Sequence, residues 1–317
     1  MSVAAAATVL VAGSANLDFV VRAAHVPAPG ETVLGHGFST FPGGKGANQA
    51  VACARAGGAA TQMLLALGED DFAKPVEASL RAAGVALSIV REPALPTGTT
   101  FICLADTAEN AITVAPGANA CLRAGHLPPL DGIGWLLLQL ETPLDTVAAY
   151  ARSARAAGLK VALNAAPAQV LPATLLELLD VLIVNEGELD VVAGNPPDLA
   201  SGLARLAVPC VIVTLGARGC LARVDGQVVL QPAFQIAPLD TTAAGDTFCG
   251  VLVAALAGGH PMAQALLAAT AASALACTRL GAQSSIPTRA EVDALLCDPA
   301  RVPGAAAHAA LAAWCAR

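Results

Sequence analysis

Charged and aromatic residues are scarce in this chain. Charged residues make up 13% of its 317 residues and aromatic residues 3%, and the formal net charge is −7 at pH 7. Lysine and arginine form no cluster, so the chain lacks the positive surface typical of proteins that bind nucleic acid. We therefore expect no nucleic-acid partner. A phosphorylated ligand would have to be held by backbone N–H groups and a few well-placed cations.

Other features that the sequence lacks indicate in which compartment the protein works and which cofactor motifs it does not have. No lysine or arginine precedes Arg22, so the N-terminus lacks the basic start of a signal peptide. The longest apolar run near the C-terminus, residues 265–277, is shorter than the roughly 20 residues that cross a bilayer. The nine cysteines contain no C-x-x-C pair, which is typical of reduced core residues. Neither a P-loop nor a G-x-G-x-x-G motif after a strand occurs. We expect a cytoplasmic protein with no membrane partner.

Hydrophobic residues, by contrast, make up 56% of the chain, in short runs that alternate with helical patterns. Five runs are apolar enough to be strands buried on both faces: residues 9–12, 135–138, 161–163, 181–184 and 211–214. Four helical patterns lie between them: residues 48–56, 72–83, 146–157 and 199–206. The alternation predicts an α/β fold with a central, mainly parallel sheet and helices on both faces. Ligands of such sheets bind at the carboxyl ends of the strands.

Two segments, about residues 17–41 and 97–116, break this alternation. They contain strand-like patches with no helix between them. We expect them to form a small separate β-sheet that lies over the ligand site as a lid, within a single domain that spans residues 1–317. The C-terminal tail, residues 297–317, is rich in alanine and proline and carries no motif. It predicts at most one more surface helix.

The most informative segment is Thr-Thr-Ala-Ala-Gly-Asp-Thr-Phe at residues 241–248. It precedes an apolar run, residues 249–257, that predicts a buried helix. A helix start attracts anions, and the small residues before Asp246 let a phosphate approach the backbone N–H groups closely. Asp246 would then lie beside a transferred phosphoryl group as a base. The alternative is that Asp246 only caps the helix.

A second glycine-rich segment, Pro-Gly-Gly-Lys-Gly-Ala-Asn-Gln-Ala at residues 42–50, opens the first long helical pattern. It offers bare backbone, one cation and one amide, which suits a polyhydroxylated ligand. Asn16 and Asp18 follow the first strand and bring an amide and a carboxylate to the same edge of the sheet. The alternative for this pair is the capping of a turn.

With these two segments, the sequence resembles the ribokinase-like family of sugar kinases. Both signature regions of that family are present, at residues 43–48 and 240–248, and further matching motifs follow in the family's order at residues 13–18, 29–32, 139–141, 185–188, 214–219 and 278–283. The resemblance covers roughly residues 9–296. It implies the Rossmann-like fold of that family and the ATP-dependent phosphorylation of D-ribose at its primary 5-hydroxyl. A kinase for 2-deoxyribose, another sugar or a nucleoside is the alternative. A more distant one is a sugar-responsive binding protein without catalysis.

The resemblance also implies roles for individual residues. The sugar-binding residues would be Asn16, Asp18, Gly44, Lys45, Gly46, Asn48, Glu141 and Asp246. Asp246 would be the base, and the anion hole would consist of the backbone N–H groups of Ala243, Ala244, Gly245 and Asp246. The family commonly dimerises through the lid, so we expect a homodimer.

For ATP, the resemblance implies a nucleotide site at Asn185, Glu188, Thr214, Leu215, Gly216, Ala217, Arg218, Gly219, Gly245 and Thr270. Asn185 and Glu188 match an N-x-x-E pattern that is linked to Mg²⁺ and phosphate. For Glu186 and Glu188, a solvated helix start is the alternative interpretation. A monovalent cation, K⁺, would bind at Asp240, Thr242, Ala276, Arg279, Gly281 and Ser285, through oxygen ligands that suit a hard cation.

Overall fold

The computed structural model describes residues 7–107 and 109–316. The strands are β1 Thr8–Ala12, β2 Asn16–Ala23, β3 Gly37–Gly43, β4 Thr61–Gly68, β5 Ala86–Glu92, β6 Gly98–Ala105, β7 Asn110–Ala115, β8 Ile133–Leu138, β9 Lys160–Asn164, β10 Val181–Asn185, β11 Cys210–Thr214, β12 Gly219–Val224 and β13 Gln227–Pro232. The α-helices are α1 Lys45–Val51, α2 Ala73–Ala82, α3 Leu144–Ala156, α4 Ala173–Leu176, α5 Glu186–Val192, α6 Leu199–Arg205, α7 Ala244–Ala257, α8 Met262–Ala276, α9 Arg289–Leu296 and α10 Ala305–Cys315.

Nine strands form the large sheet, in the order β13-β12-β11-β10-β9-β8-β1-β4-β5. The pairs from β11 to β5 are parallel, whereas β12 and β13 continue the sheet as an antiparallel hairpin. Strand β10 shows why these runs form strands: its residues Val181 to Val184 are buried, with neighbouring strands on both sides. The predicted α/β fold with a mainly parallel sheet is confirmed.

Helices cover both faces of this sheet. Helices α1, α2, α7, α8 and α9 pack on one face, and α3 to α6 and α10 pack on the other. Alanine and glycine in α7 allow a close approach to α1, since a Cβ on Gly250 would lie 2.5 Å from the carbonyl oxygen of Gln49. The core therefore brings the starts of α1 and α7 together at the carboxyl edge of the sheet.

A separate four-stranded sheet has the order β3-β2-β6-β7. Strands β2 and β6 are parallel, while the two outer pairs are antiparallel. This confirms the small sheet expected from the interrupted alternation. Strand β2 begins at Asn16 and β3 ends at Gly43, so one end of the small sheet lies at the carboxyl end of β1.

Two helices begin earlier than the sequence-based prediction. The helix predicted over 48–56 begins earlier, at Lys45, and its second half is a π-helix, Ala52–Ala56, in which Gly57 N–H donates to the carbonyl of Ala52. The helix predicted over 249–257 begins at Ala244, because the small residues before it form its first turn. In the tail, α10 forms and buries Leu311.

Candidate active site

A cleft of about 240 Å³ opens at the carboxyl edge of the large sheet. It lies between the starts of α1 and α7 and the ends of β9, β10 and β11. The polar side chains that line it are Lys45, Asn164, Asn185, Glu188, Thr214, Thr241 and Asp246. This is the place that parallel α/β topology predicts for a ligand.

Asp246 lies in the first turn of α7 and is buried. Its Oδ2 accepts a hydrogen bond from Asn48 Nδ2 at 2.9 Å, and its Oδ1 accepts one from Gln49 Nε2 at 2.9 Å. The cap residue of α7 is Ala243, and no side chain caps this helix start. The alternative interpretation of Asp246 as the helix cap is therefore wrong: its carboxylate is held by α1 instead.

A network of buried side-chain amides fixes this contact between Asp246 and α1. Gln49 is fully buried; its Oε1 accepts from Gln139 Nε2 at 2.7 Å, and its Nε2 also donates to Asn164 Oδ1 at 3.0 Å. Sequence reasoning missed Gln49, Gln139 and Asn164 as site residues. The available signal was an amide directly after β8, an amide at the last residue of β9, and one in the glycine-rich segment. This amide network restricts the orientation of the Asp246 carboxylate.

Glu141 is held by a second set of contacts. Its Oε2 accepts from Ser14 Oγ at 2.6 Å and from the backbone N–H of Lys45 at 3.0 Å. Ser14 Oγ in turn accepts from the N–H of Gly46 at 3.2 Å. Ser14 was also missed. The carboxylate expected to bind sugar is thus fixed at the start of α1.

Two glycines of this segment have a packing role. Gly44 has φ 87°, and a Cβ on it would lie 2.8 Å from Ala15 Cα. A Cβ on Gly46 would lie 2.7 Å from the backbone of Gly13, and the N–H of Gly46 is used by Ser14. The space beside Gly46 is therefore filled by the end of β1, which corrects the expectation of bare backbone open to a ligand there.

Asp18 and Asn16 project from the first residues of β2, so the turn-capping alternative for this pair is wrong. Burial raises the pKa of Asp18 to about 7, opposed by a hydrogen bond with Thr100. Asn16 donates to Thr100 Oγ1 at 3.2 Å and accepts from Asn119 Nδ2 at 2.7 Å. Asn119, which the sequence did not suggest, fixes the Asn16 amide from the side of the small sheet.

Two acceptors next to the cleft have no partner among the described residues. They are Asp18 Oδ1 and Asn48 Oδ1, both buried; a third unpaired acceptor, Gln139 Oε1, belongs to the amide network and packs against Gly13. A buried acceptor without a donor destabilises the protein by about 1–3 kcal/mol. Hydroxyl groups of a bound ligand would supply the missing donors, so these atoms fit a polyol.

Lys45 is the cation of the cleft. Asp246 raises the pKa of the Lys45 ammonium most, and Glu141 and Glu188 raise it further, against the effect of burial. These carboxylates stabilise the charged ammonium, so Lys45 stays charged at neutral pH. It is available to an anionic ligand group in the same cleft.

The expected anion hole would be formed by the start of α7. Ala243 adopts φ 58°, which is unusual for a residue with a Cβ. The N–H of Ala244 donates to the carbonyl of Thr241 at 3.2 Å, so this donor is already used. Gly245 and Asp246 follow in the first turn, where the N–H groups have no carbonyl one turn earlier in the helix. A Cβ on Gly245 would meet nothing within 4 Å, so the space beside it is open.

On the other side of the cleft, Asn185 and Glu188 form a reciprocal capping box at the start of α5. Asn185 Oδ1 accepts from the N–H of Glu188, and Glu188 Oε2 accepts from the N–H of Asn185, both at 2.8 Å. Burial raises the pKa of Glu188. The capping box uses only one carboxylate oxygen of Glu188, so a capping role and a ligand role are compatible.

The loop after β11 contains a short 3₁₀ turn, Gly216–Arg218. Gly219 has φ 114°, and a Cβ on it would lie 2.1 Å from the carbonyl oxygen of Gln231, so only glycine fits. Four of the expected nucleotide residues that have side chains, Leu215, Ala217, Arg218 and Thr270, do not line the cleft, and Ala217 and Arg218 line a separate cavity beside α10. Leu215 is buried in the core below the sheet edge, and Thr270 is buried beside Cys220 Sγ at 3.8 Å.

The residues expected at a monovalent cation lie around Asp240. Its Oδ1 accepts from Thr242 N and Oγ1 at 2.9 and 2.6 Å, and its Oδ2 accepts from the N–H of Gly281 at 2.9 Å. Asp240 thus joins the segment before α7 to the loop after α8. Other groups of the expected set already have partners: the Ala276 carbonyl accepts from Arg279 N–H, and Ser285 Oγ donates to Ala282.

The described residues, 7–107 and 109–316, contain neither a metal cluster nor a helix suited to span a membrane. Within them, no three His, Cys, Asp or Glu side chains converge as a metal cluster. No helix there combines the length and the apolar character that a bilayer crossing requires.

Comparison with known proteins gives consistent matches. The sequence model of the pfkB family of carbohydrate kinases matches residues 6–289. Ribokinase from Haemophilus influenzae is 37% identical over 296 residues, which cover 90% of this chain and 96% of that protein. The crystal structure of ribokinase from Thermotoga maritima has a TM-score of 0.83 at 36% identity, covering 92% of this chain and 100% of the other. The structure of Arabidopsis thaliana ribokinase complexed with ribose and ATP has a TM-score of 0.85 at 30% identity, covering 92% and 99%.

Proposed function

This chain belongs to the pfkB family of carbohydrate kinases, and we propose that it transfers a phosphoryl group from ATP to the 5-hydroxyl of D-ribose. The observation that carries the proposal is the Asp246 carboxylate, held by Asn48 and Gln49 at the first turn of α7. The similarity of the whole chain to ribokinases, including one complexed with ribose and ATP, supports this substrate pair.

The sugar would bind at the end of the cleft beneath the small sheet. Asp18 Oδ1 and Asn48 Oδ1 are buried acceptors that lack donors, and sugar hydroxyls donate to such acceptors. Glu141, fixed by Ser14 and the Lys45 N–H, offers a further carboxylate. A ligand without hydroxyls in these positions would leave the acceptors unpaired, which weakens its binding.

Asp246 would take the proton of the 5-hydroxyl as the oxygen attacks the γ-phosphorus of ATP. The two amide donors orient the carboxylate toward the cleft, so that positioning precedes substrate binding. The Lys45 ammonium and the N–H groups of Gly245 and Asp246 would balance the negative charge on the moving phosphoryl group. The bond from γ-phosphorus to the bridging oxygen breaks, and ADP leaves.

ATP would bind along the other side of the cleft, over Thr214, the 3₁₀ turn and the start of α5. Mg²⁺ would be held mainly by phosphate oxygens and water near Asn185 and Glu188. The residues fit this arrangement, because Glu188 keeps one oxygen outside its capping box and Mg²⁺ retains several waters. When bound, the ion neutralises charge on the phosphate oxygens.

A monovalent cation such as K⁺ would bind near Asp240. The carboxylate and carbonyl oxygens present there are hard ligands, which fit this class of ion. Asp240 already ties Thr242 to Gly281, so a cation beside it would further fix residues 240–246. Its role would be to hold the anion hole in shape rather than to contact the sugar.

We further propose a homodimer joined through the small sheet, in the cytoplasm. The small sheet exposes large apolar side chains: Phe38 is 64% exposed, Phe101 54% and Ile112 56%. A second copy would cover such a patch. The nine unpaired cysteines, four of them buried, suit a reducing compartment.

The test is ADP release with MgATP and D-ribose, 2-deoxy-D-ribose, D-fructose or adenosine as acceptor. Each acceptor is measured with K⁺ and with a large inert cation. We expect the highest kcat/KM with D-ribose and stimulation by K⁺. Preference for another acceptor would change the proposed substrate but leave the assignment as a kinase unchanged. Ribose binding without turnover of any acceptor would support the binding-protein alternative instead.

A further inference from the structure

Helix α10 packs beside the nucleotide loop. Its residue Leu311 is buried against the large sheet, and the helix contacts β13. The matched family region ends at residue 289, whereas α10 begins at Ala305. The helix therefore adds a structural element to the kinase site from outside the matched region.

The contact between this helix and the loop centres on Arg218. The Arg218 guanidinium lies over the Trp314 ring, with Cζ 4.1 Å from the ring centroid. The same guanidinium forms an ion pair with Glu186, which directly follows Asn185 at the start of α5. Arg218 is thus held between α10 and the start of α5.

The Arg218 backbone extends this arrangement to the 3₁₀ turn. Its carbonyl accepts from the N–H of Ala233 at 3.3 Å. An open cavity of about 340 Å³ lies between the turn and α10, lined by Ala217, Arg218, Gln235, Leu311 and Trp314 among others. Beside this cavity, Trp314 and Glu186 contact the Arg218 side chain and restrict it.

We propose that Trp314 is a positioning residue for nucleotide binding: it holds Arg218 and thereby the 216–218 turn in the conformation that receives ATP and ADP. This inference rests on the proposed function, because it takes residues 214–219 as the nucleotide site. A fixed turn loses less conformational freedom when the nucleotide binds, so affinity is higher. Trp314 does not contact the sugar side of the cleft, so sugar binding is independent of it.

The experiment compares Trp314→Leu with Trp314→Phe in the full chain. Leucine keeps apolar volume for packing but has no π face, whereas phenylalanine keeps a ring beneath the guanidinium. His308→Ala, an exposed position on the same helix, is the matched control. ADP dissociation constants from calorimetry, KM for MgATP and ribose, kcat and thermal unfolding are measured for each protein.

We expect Trp314→Leu to raise the ADP dissociation constant and the MgATP KM about two- to fivefold, the range of a cation–π contact at an exposed site. Arg218 is 43% exposed, which places the contact in that range. Trp314→Phe should stay within about twofold of the unchanged protein, with kcat and ribose KM unchanged in both variants. In an Arg218→Ala background, Trp314→Leu should have no further effect on ADP binding.

Three results would overturn the inference. They are equal ADP binding by Trp314→Leu and the unchanged protein, an equal loss in Trp314→Phe, and a Trp314→Leu effect that persists without Arg218. Failure of the unchanged protein to bind ADP would contradict the proposed function itself, and this inference with it. ADP binding requires no sugar, so an error in the sugar assignment alone leaves this test valid.

Discussion

The proposed sugar side and the proposed nucleotide side of the cleft are stabilised in different ways. On the sugar side, Asn48 and Asp246 are buried and bond to each other although 198 residues separate them in the sequence. On the nucleotide side, Asn185 and Glu188 bond to each other three residues apart. The Asp246 carboxylate therefore depends on the complete fold, whereas the pairing of Asn185 with Glu188 is a local motif.

The difference has a thermodynamic meaning. Burying polar groups on the sugar side costs free energy when the protein folds, and Asp18 Oδ1 and Asn48 Oδ1 are left without donors. We expect a sugar with matching hydroxyl groups to offset that cost on binding, which would favour specificity. On the nucleotide side, exposed groups keep contact with water until ATP binds, so that substitutions there should change affinity more than stability.

The largest effect should come from Asp246→Asn. An amide cannot take the proton of the sugar hydroxyl, so we expect kcat to fall about 10²- to 10⁴-fold, with ribose KM changed by less than about threefold. Steady-state kinetics measure the loss, and circular dichroism verifies the fold. Residual activity within tenfold of the unchanged enzyme would show that Asp246 is not the base.

A smaller loss is expected when the support of Asp246 is removed. Gln49→Leu deletes the bonds from Gln49 to Asp246, Gln139 and Asn164. We expect stability to fall by about 1–3 kcal/mol because partners stay buried and unpaired, and kcat to fall about tenfold as the carboxylate loses its orientation. Urea unfolding and kinetics measure both.

The matched control for Gln49→Leu is Gln62→Leu. The Gln62 side chain is half-buried and donates to Ser88 Oγ at the far edge of the large sheet. This change should lower stability slightly and leave kcat unchanged. Equal kinetic effects of the two substitutions would contradict a special role for Gln49.

The raised pKa of Asp18 leads us to predict opposite pH trends for stability and sugar binding. Its pKa is about 7 in the folded protein, raised mainly by burial from 3.8. The folded state thus holds this proton more tightly than the unfolded chain, so stability without sugar should fall as pH rises from about 4 to 7. The ionised form is the better acceptor, so ribose affinity should rise over the same range.

Thermal unfolding and ribose titrations at pH 5.5, 6.5 and 7.5 measure these trends. Asp18→Asn has no titrating group at this position, so both stability and ribose affinity should depend less on pH in this variant. If ribose affinity of the unchanged protein fell with rising pH, the assignment of Asp18 as an acceptor would be wrong.

The smallest effect concerns the nucleotide side. Glu188→Gln keeps the capping box, since glutamine also accepts from the N–H of Asn185, but removes the negative charge. We expect stability to change by less than about 0.5 kcal/mol and the Mg²⁺ concentration for half-maximal rate to rise about fivefold, which corresponds to about 1 kcal/mol. An unchanged Mg²⁺ dependence would limit Glu188 to capping.

The same contrast explains which parts of the fold could be predicted. Apolar runs such as the one that forms β10 predicted their strands, because burial on both faces is visible in a few consecutive residues. The hairpin of β12 and β13 was missed, although Asp225 and Gly226 at its turn, both with positive φ, are a recognisable signal. Strand β4 was missed because its apolar run does not distinguish a strand from a helix.

Site residues divide along the same line. Asp246, Asn185 and Glu188 lie in short motifs, so the sequence suggested them. Gln49 and Asn119 act through partners more than 80 residues away, and no local pattern marks such a contact. Their roles emerge only when the two sheets and α1 are placed together.

The most direct test of the account is the identity of the product. The enzyme is incubated with MgATP and D-ribose, and the product is examined by ³¹P–¹H correlation NMR. We predict a phosphorus signal coupled to the two protons on C5, and its absence with Asp246→Asn over the same time. A phosphate on C1, or an unchanged yield with Asp246→Asn, would contradict the account.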